Sequence, residues 1–303
     1  MPELSPTFIN TIHATFGDAG RDWLARLDDE LAWASEHWRL TLGAPFGLSF
    51  NYVTAARTHD GADVVLKLGI PGRCEWHTEV AALRWYAGEG AARLLAADAD
   101  HGAMLIERLH PGTMLADLDD DPRIIEIAAG IMQRIWREPP ADHRFPNVQD
   151  WAAGLSELRP FFGGTTGPFA PRLVAMAESF WAELFASQSQ NVVLHGDLHH
   201  YNILRSGDDW KLIDPKGIIG EPAFEVCAMM FNPNGRLGQH PDLRGLLRRR
   251  LDQWSDLLGI DRARLWRYGV AFGVLSAWWD MDAAGNGGEL AHTIAQILAE
   301  NPH

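Results

Sequence analysis

The sequence predicts an α+β protein of two lobes, a small β-rich N-terminal lobe and a larger, mostly helical C-terminal one. Three observations carry this reading. Short apolar runs bounded by turn residues cluster in the first third of the chain. From Pro122 onward, apolar residues recur at three- and four-residue steps. One β-rich interruption, Val192 to Asp214, breaks that helical pattern. The change of character falls near Leu109 to Gly112 and sets lobes at 1–109 and 110–303.

In chain order, Thr7 to Leu40 reads as helices carrying Trp23, Trp33 and Trp38. A Pro/Gly turn follows around Ala44 to Phe50, then a strand over Phe50 to Arg57. His59-Asp60-Gly61 is a hairpin turn leading into a second strand, Ala62 to Leu68, apolar apart from Asp63 and Lys67. Glu75 to Gly88 has helical spacing, with Trp76, Val80, Leu83 and Ala87 on one side. Strands are expected over Ala92 to Ala97 and Ala103 to Leu109, before Pro111-Gly112 breaks the pattern. Helices are expected over Pro122 to Glu138, Trp151 to Leu158, Pro171 to Ser187, Leu243 to Leu258, Asp261 to Asp280 and Gly288 to Glu300. Phe161 to Pro171, rich in Gly, Thr and Pro, reads as a surface loop. The β-rich interruption holds two apolar runs, Val192-Val193-Leu194 and Leu212-Ile213.

The chain has 303 residues and is 47% apolar, enough for a sizeable core. A net charge of −14 argues against nucleic acid as a partner and suits a cationic small molecule better. The longest apolar stretches contain Gly, Asp or Arg and fall short of a membrane span, so no membrane partner is expected. Cys74 and Cys227 form neither a disulfide framework nor a zinc spacing, and both read as buried thiols. The N-terminus lacks the basic start and apolar run of a signal peptide. A soluble, cytoplasmic monomer is expected.

The chemistry concentrates in Leu194-His195-Gly196-Asp197-Leu198-His199-His200-Tyr201-Asn202, followed by Ile213-Asp214-Pro215. Phosphoryl transfer needs a carboxylate to orient the attacking hydroxyl and take its proton. It also needs oxygen ligands to hold Mg²⁺ against the phosphates. Asp197 suits the first role, and Asn202 with Asp214 the second. Upstream, Lys67 lies on an apolar strand, where an ammonium is costly unless paired. Glu79, twelve residues on, is a candidate partner, with Glu75 competing one helical turn earlier. An isolated Asp-x-x-x-x-Asn is common in loops, and a lone strand lysine is usually at the surface. The signal lies in all five residues occurring in this order. His195, His199 and His200 admit a rival metal-dependent hydrolase, but no H-E-x-x-H or second ligand cluster accompanies them. His195 reads instead as a brace of its loop.

These residues resemble the protein-kinase-like fold in its aminoglycoside phosphotransferase branch, whose catalytic loop reads H-G-D-x-x-x-x-N. The resemblance is nearest to the streptomycin 6-phosphotransferase and hydroxyurea phosphotransferase group. Leu194 to His200 with Asn202 matches L-H-G-D-L-H-H-x-N, and Ile213 to Glu221 matches I-D-P-K-G-x-I-G-E. The helix Thr78 to Gly88 is similar too. The resemblance implies ATP, or another nucleoside triphosphate, with Mg²⁺. It implies that Lys67, fixed by Glu79, meets phosphate, and that Glu107 to Leu109 is a hinge whose backbone meets adenine. Phe46 to Asn51, including Ser49, would cover the phosphates, although with only Gly43 and Gly47 it departs from G-x-G-x-x-G. Lys216 could meet the nucleotide or be a solvated loop lysine.

On the acceptor side the resemblance, in which acidic residues of C-terminal helices line the cleft, implies Asp280 and Asp282, with Trp278 or Trp279 stacking, as substrate contacts, although the tryptophans could be core. Glu221 and Glu225 could meet a cationic substrate, orient the loop after the metal site, or serve as a helix N-cap or surface residues. Gly196 stands where protein kinases have an Arg that clamps a phosphorylated loop, which implies an enzyme competent without phosphorylation. The implied acceptor is a hydroxyl of a polar, cationic small molecule, foremost the 6-position of a streptomycin-type aminoglycoside. Hydroxyurea, another metabolic acceptor, and a nucleotide-binding regulator without turnover are the alternatives.

Overall fold

In the computed structural model, which describes residues 4–188, 190–284 and 288–300, the chain divides into a first unit, Met1–Gly112, and a second, Thr113–His303. The first opens with α1 (Pro6–His37), in which two helical segments meet at Gly17, as the expected helices there allow. Ser5 caps it by accepting the Phe8 N–H at 3.2 Å, and Pro6 fits its first turn. Gly17, with φ 56°, puts a kink in it. Strands β1 (Leu40–Pro45), β2 (Tyr52–Thr58) and β3 (Asp63–Leu68) follow, then α2 (Cys74–Tyr86), β4 (Leu94–Asp98) and β5 (Ala103–Glu107). The sheet runs β1-β2-β3-β5-β4, and all its neighbours are antiparallel.

Strand β1 departs from the expected turn. Leu40, Leu42 and Ala44 alternate with Thr41, Gly43 and Pro45, but the glycine and proline read as turn residues, and the β1/β2 register shifts between Leu42 and Pro45. An irregular edge strand can hold a proline that a central strand could not. Strand β3 is central. Its alternate residues Val64, Leu66 and Leu68 join the core built on Phe8, Ile12 and Trp23 of α1. Strand geometry therefore turns Lys67 to the opposite face. Cys74 is exposed at the start of α2, not buried as expected, because the stripe of α2 that packs begins at Trp76.

The second unit is mostly helical. Strand β6 (Pro111–Met114) leads into it, followed by α3 (Asp121–Ile135), α4 (Val148–Ala153), α5 (Leu158–Phe161) and α6 (Pro171–Ala186). Then come β7 (Val192–Leu194), β8 (Ile203–Ser206), β9 (Asp209–Leu212) and β10 (Ile218–Gly220). Helices α7 (Pro222–Met230), α8 (Asn234–Leu237), α9 (Leu243–Leu258), α10 (Arg262–Ala284) and α11 (Glu289–Glu300) complete it. Helix α7 has no counterpart among the expected helices. Every residue from Ala223 to Met230 is buried, so it shows no amphipathic period to read. The expected loop at Phe161 to Pro171 is irregular, but it buries Phe169 and bonds Thr166 Oγ1 to the Phe169 carbonyl at 2.7 Å. No described helix is long and apolar enough to cross a membrane. The protein thus has a small β-rich N-lobe and a larger helical C-lobe.

The pairing of the four short strands positions the site. β7 pairs antiparallel with β10, and β8 with β9. The pairs are nested in sequence, so the loop from β7 to β8 and the loop from β9 to β10 lie side by side. The first carries Asp197 and the second Asp214.

Candidate active site

In the first unit, Lys67 Nζ lies 2.7 Å from both carboxylate oxygens of Glu79. Both residues are buried, at 6% and 7% exposure, which makes this a desolvated, two-pronged pair. Glu75 is exposed, so the competition between the two glutamates is resolved for Glu79. Strand β3 supplies the lysine from the sheet's middle and α2 the glutamate from its second turn. Glu107, at the end of β5, is tied twice to Arg93: its N–H donates to the Arg93 carbonyl at 2.8 Å, and its Oε2 accepts the Arg93 N–H at 3.0 Å. Leu109 is buried. Ser49 is exposed in the β1–β2 connection, which Phe46 closes by donating its N–H to Val53 at 2.9 Å.

In the second unit, Asn202 Nδ2 donates to the Asp197 carbonyl at 2.9 Å. That bond uses the Nδ2 donor and fixes the amide. Asn202 also accepts, through its own carbonyl, the N–H of Ile213 at 2.9 Å, which brings Asp214 alongside. Asp214 has φ 61°, a left-handed conformation that aspartate tolerates better than most residues. Amide and carboxylate oxygens are donors for a hard cation such as Mg²⁺, which is usually held by one or two protein ligands plus phosphate and water. Among the described residues, no group of three or more His, Cys, Asp or Glu could hold a metal.

The Asp197 carboxylate keeps 41% of its surface exposed. Burial around it raises its pKa; His199 and Lys216 lower it, and the charge of Asp214 raises it again. His199 Nε2 is 3.7 Å from Asp197 Oδ2. His195 is wholly buried. Its Nε2 donates to the Ile213 carbonyl at 2.8 Å and its Nδ1 accepts the Asp197 N–H at 3.2 Å. Burial pushes its pKa down to about 3, so the ring is a neutral brace. His200 is buried too, and burial likewise lowers it to about 3.

Gly196 has φ +86°, and a Cβ there would meet Ile218 Cγ2 at 2.5 Å. The position where protein kinases carry Arg is therefore closed to any side chain in this backbone.

Two expected acceptor contacts are corrected. Glu221 accepts from Nε and Nη2 of Arg264 and, at 3.1 Å, from the Tyr268 hydroxyl. Glu225 is 1% exposed and accepts the N–H groups of His195 and Gly196 at 2.7 and 2.9 Å. Both carboxylates are engaged inside the protein. Trp278 is also corrected: it is 3% exposed, and its indole N–H donates to the Gly154 carbonyl at 3.0 Å. Trp279 is half-buried and Asp280 exposed. Partial burial raises the pKa of Asp280. The side chain of Asp282 lies outside the described residues.

Sequence reasoning missed Trp151. Its ring tip would lie 3.3 Å from a Cβ at Gly196, and it meets Trp279 edge-on with centroids 5.9 Å apart. Trp151 thereby links the loop of Asp197 to the helix of Asp280. As one of thirteen tryptophans, it carries no distinguishing signal in the sequence.

A family model described as aminoglycoside/hydroxyurea antibiotic resistance kinase matches residues 37–284. The chain is 32% identical over 289 residues to streptomycin 6-kinase of Streptomyces glaucescens, covering 93% of this chain and 92% of that protein. It is 31% identical over 276 residues to hydroxyurea phosphotransferase of Kitasatospora aureofaciens, covering 88% and 76%. Among solved structures, a choline/ethanolamine kinase family protein from Mesorhizobium loti superposes with a TM-score of 0.68 at 15% identity, covering 91% of this chain and 95% of that one. That likeness speaks for the fold.

Proposed function

Since the chain belongs to the aminoglycoside/hydroxyurea antibiotic resistance kinase family and is thus an ATP-dependent phosphotransferase acting on a small molecule's hydroxyl, we propose that its acceptor is a streptomycin-type aminoglycoside, phosphorylated at the 6-position. The support is the 32% identity to streptomycin 6-kinase over nearly the whole of both chains. Asp197 aligns the acceptor hydroxyl and takes its proton. A base whose proton affinity is raised by its surroundings accepts that proton more readily at neutral pH. Lys67, held in place by Glu79, neutralises phosphate charge. Asn202 and Asp214 would hold Mg²⁺, which would supply charge neutralisation at the phosphates when bound. Transfer is direct, with no phosphoenzyme.

The observation that carries this assignment of roles is the bond from Asn202 to the Asp197 carbonyl, since it locks the base and an oxygen ligand into one rigid turn. On the acceptor side, Asp280 meets a guanidinium or ammonium group, and Trp279 with Trp151 forms the aromatic wall beside it.

The test is ADP release with streptomycin, kanamycin and hydroxyurea, followed by mass analysis of each acceptor for an added phosphate. Streptomycin should be modified, and Asp197→Asn should reduce the rate by about 10²- to 10⁴-fold. Modification of hydroxyurea alone would replace the acceptor assignment. Equal rates for wild type and Asp197→Asn with every acceptor would end the assignment of Asp197 as base.

A further inference from the structure

Nearly all of α1 precedes residues 37–284, the stretch that the family model matches. Its sharpest feature is the corner at Gly17, with φ 56° and ψ −130°. In a straight helix, residues eight positions apart are about 12 Å apart along the axis. Here a Cβ at Gly20 would meet the Ile12 carbonyl oxygen at 2.6 Å and the Phe16 Cβ at 3.0 Å. The chain turns so tightly that glycine alone fits at position 20. The same corner sets the direction of Phe16, the last residue before it.

Phe16 is half-buried, and two other elements meet its ring. The ring of Phe50 stands edge-on to it, with centroids 6.4 Å apart and planes at 80°. The guanidinium of Arg73 lies 4.6 Å from its centre. Each arrangement adds attraction beyond the apolar area it covers. Phe50 belongs to the β1–β2 connection and is 50% exposed, while Leu48 of the same connection packs on the core that α1 builds. Arg73 is the N-cap residue of α2, the helix that carries Glu79. One ring of α1 thus touches both the connection and the start of the helix whose glutamate holds Lys67. We propose that Phe16 is a positioning residue for nucleotide binding: set by the corner at Gly17 and Gly20, it fixes the β1–β2 connection, through Phe50, relative to α2 and the Lys67–Glu79 pair. This rests on the kinase reading, in which Phe46 to Asn51 covers the phosphates that Lys67 neutralises. The effect of Phe16 therefore falls on the phosphates and not on the nucleoside.

Four variants separate positioning from packing. Phe16→Ala removes the ring. Phe16→Leu keeps apolar bulk without an aromatic face, and takes the place of Phe16→Ala if that variant does not fold. Phe16→Tyr keeps the face and serves as the rescue variant. Leu24→Ala takes bulk from further along α1, where Leu24 packs on the same core, and is the packing control.

Binding of the β,γ-imido analogue of ATP with Mg²⁺, and of adenosine, is measured by calorimetry on the full chain. Phe16→Ala is expected to weaken the analogue by about 3- to 10-fold, the scale of one aromatic pair with its cation. Adenosine should stay within about two-fold. In turnover with streptomycin, KM for ATP should rise by the same factor and KM for streptomycin should not move. Phe50→Ala should match Phe16→Ala, and the double variant should be no weaker than either alone, because both remove one contact. Phe16→Tyr should bind the analogue as wild type does, and Leu24→Ala should do so at a comparable loss of Tm. Amide hydrogen exchange over Phe46 to Asn51 should speed up in Phe16→Ala and not in Leu24→Ala. Equal losses for analogue and adenosine, additive losses in the double variant, the same loss in Leu24→Ala, or unchanged exchange would each overturn the proposal. Faster exchange with wild-type affinity for the analogue would overturn the role in nucleotide binding. A wild type that binds neither compound would instead sink the kinase reading itself, a result that no failure of Phe16 alone produces.

Discussion

The Nε2–H of His195 donates to the carbonyl of Ile213 at 2.8 Å, so the residue two before Asp197 is fastened to the residue just before Asp214. The other ring nitrogen accepts the N–H of Asp197. One neutral tautomer makes both bonds, and with a pKa pushed to about 3 the ring holds it across the whole working range. Replacing His195 by Ala would leave one acceptor and one donor buried without partners. We expect a stability loss of about 2–4 kcal/mol, from roughly 1–3 kcal/mol for each orphaned group, in urea unfolding. We also expect a kcat loss larger than any change in KM.

Gly196→Ala tests the seat under the loop. The added Cβ would sit 2.5 Å from Ile218 Cγ2, on a backbone that L-residues avoid. Overpacking and strain together should cost about 2–4 kcal/mol, with activity falling in parallel. Gly207→Ala, also at positive φ but with open space around it, should cost about 1 kcal/mol and spare activity.

The fold is legible where the sequence carries a period. The expected helix at Leu243 to Leu258 has the observed bounds, because one face is charged and the other apolar. Helix α7 is hidden for the opposite reason, being buried on every side. Strand β1 is hidden because Gly43 and Pro45, which read as turn residues, mask the alternation of Leu40, Leu42 and Ala44. At the site, the order of Lys67, Glu79, Asp197, Asn202 and Asp214 can be read from spacing. The partners of Glu221, Glu225 and Trp278 cannot. Arg264 is 43 residues from Glu221, and Gly154 is 124 from Trp278. Nothing local tells a carboxylate that will bond an internal donor from one that will meet a ligand.

Lys67 and Glu79 should behave as a unit. Lys67→Met removes the ammonium from a buried carboxylate, which typically costs about 3–5 kcal/mol. The double variant Lys67→Met with Glu79→Leu should recover most of that stability and none of the activity. Recovery of ATP turnover in the double variant would show that the pair serves only the fold.

Glu225 gives the protein a defined response to pH. Burial lifts its pKa to about 7 from an ordinary 4.5, partly offset by the Gly196 and His195 amides. Because the folded value lies above the unfolded one, the stabilising contribution is fully present below pH 4.5 and is lost as pH rises through about 7. A gap of about 2.5 units corresponds to about 3 kcal/mol. Wild type, measured against Glu225→Gln by urea unfolding, should lose about that much relative stability between about pH 4.5 and 8. A flat difference would place the Glu225 pKa near its ordinary value.

Asp280→Asn should raise KM for a guanidinium-bearing acceptor by about 2- to 5-fold, the scale of an exposed ion pair. KM for ATP should not move. The effect should shrink as salt is added, which steady-state kinetics at two ionic strengths would detect.

The nested pairing of β7 with β10 and β8 with β9 has a consequence for how the site comes into being. Asp197, Asn202, Asp214 and His195 are joined by short closures within one stretch from Val192 to Gly220. Loop closure over so few residues carries little entropy cost, and such contacts form early and re-form quickly. The stretch is therefore expected to act as a single cooperative block, sealed from beneath by α7. The lengths of the surrounding helices and their connections are then free to drift in evolution, reshaping what the enzyme accepts while the transfer chemistry stays intact.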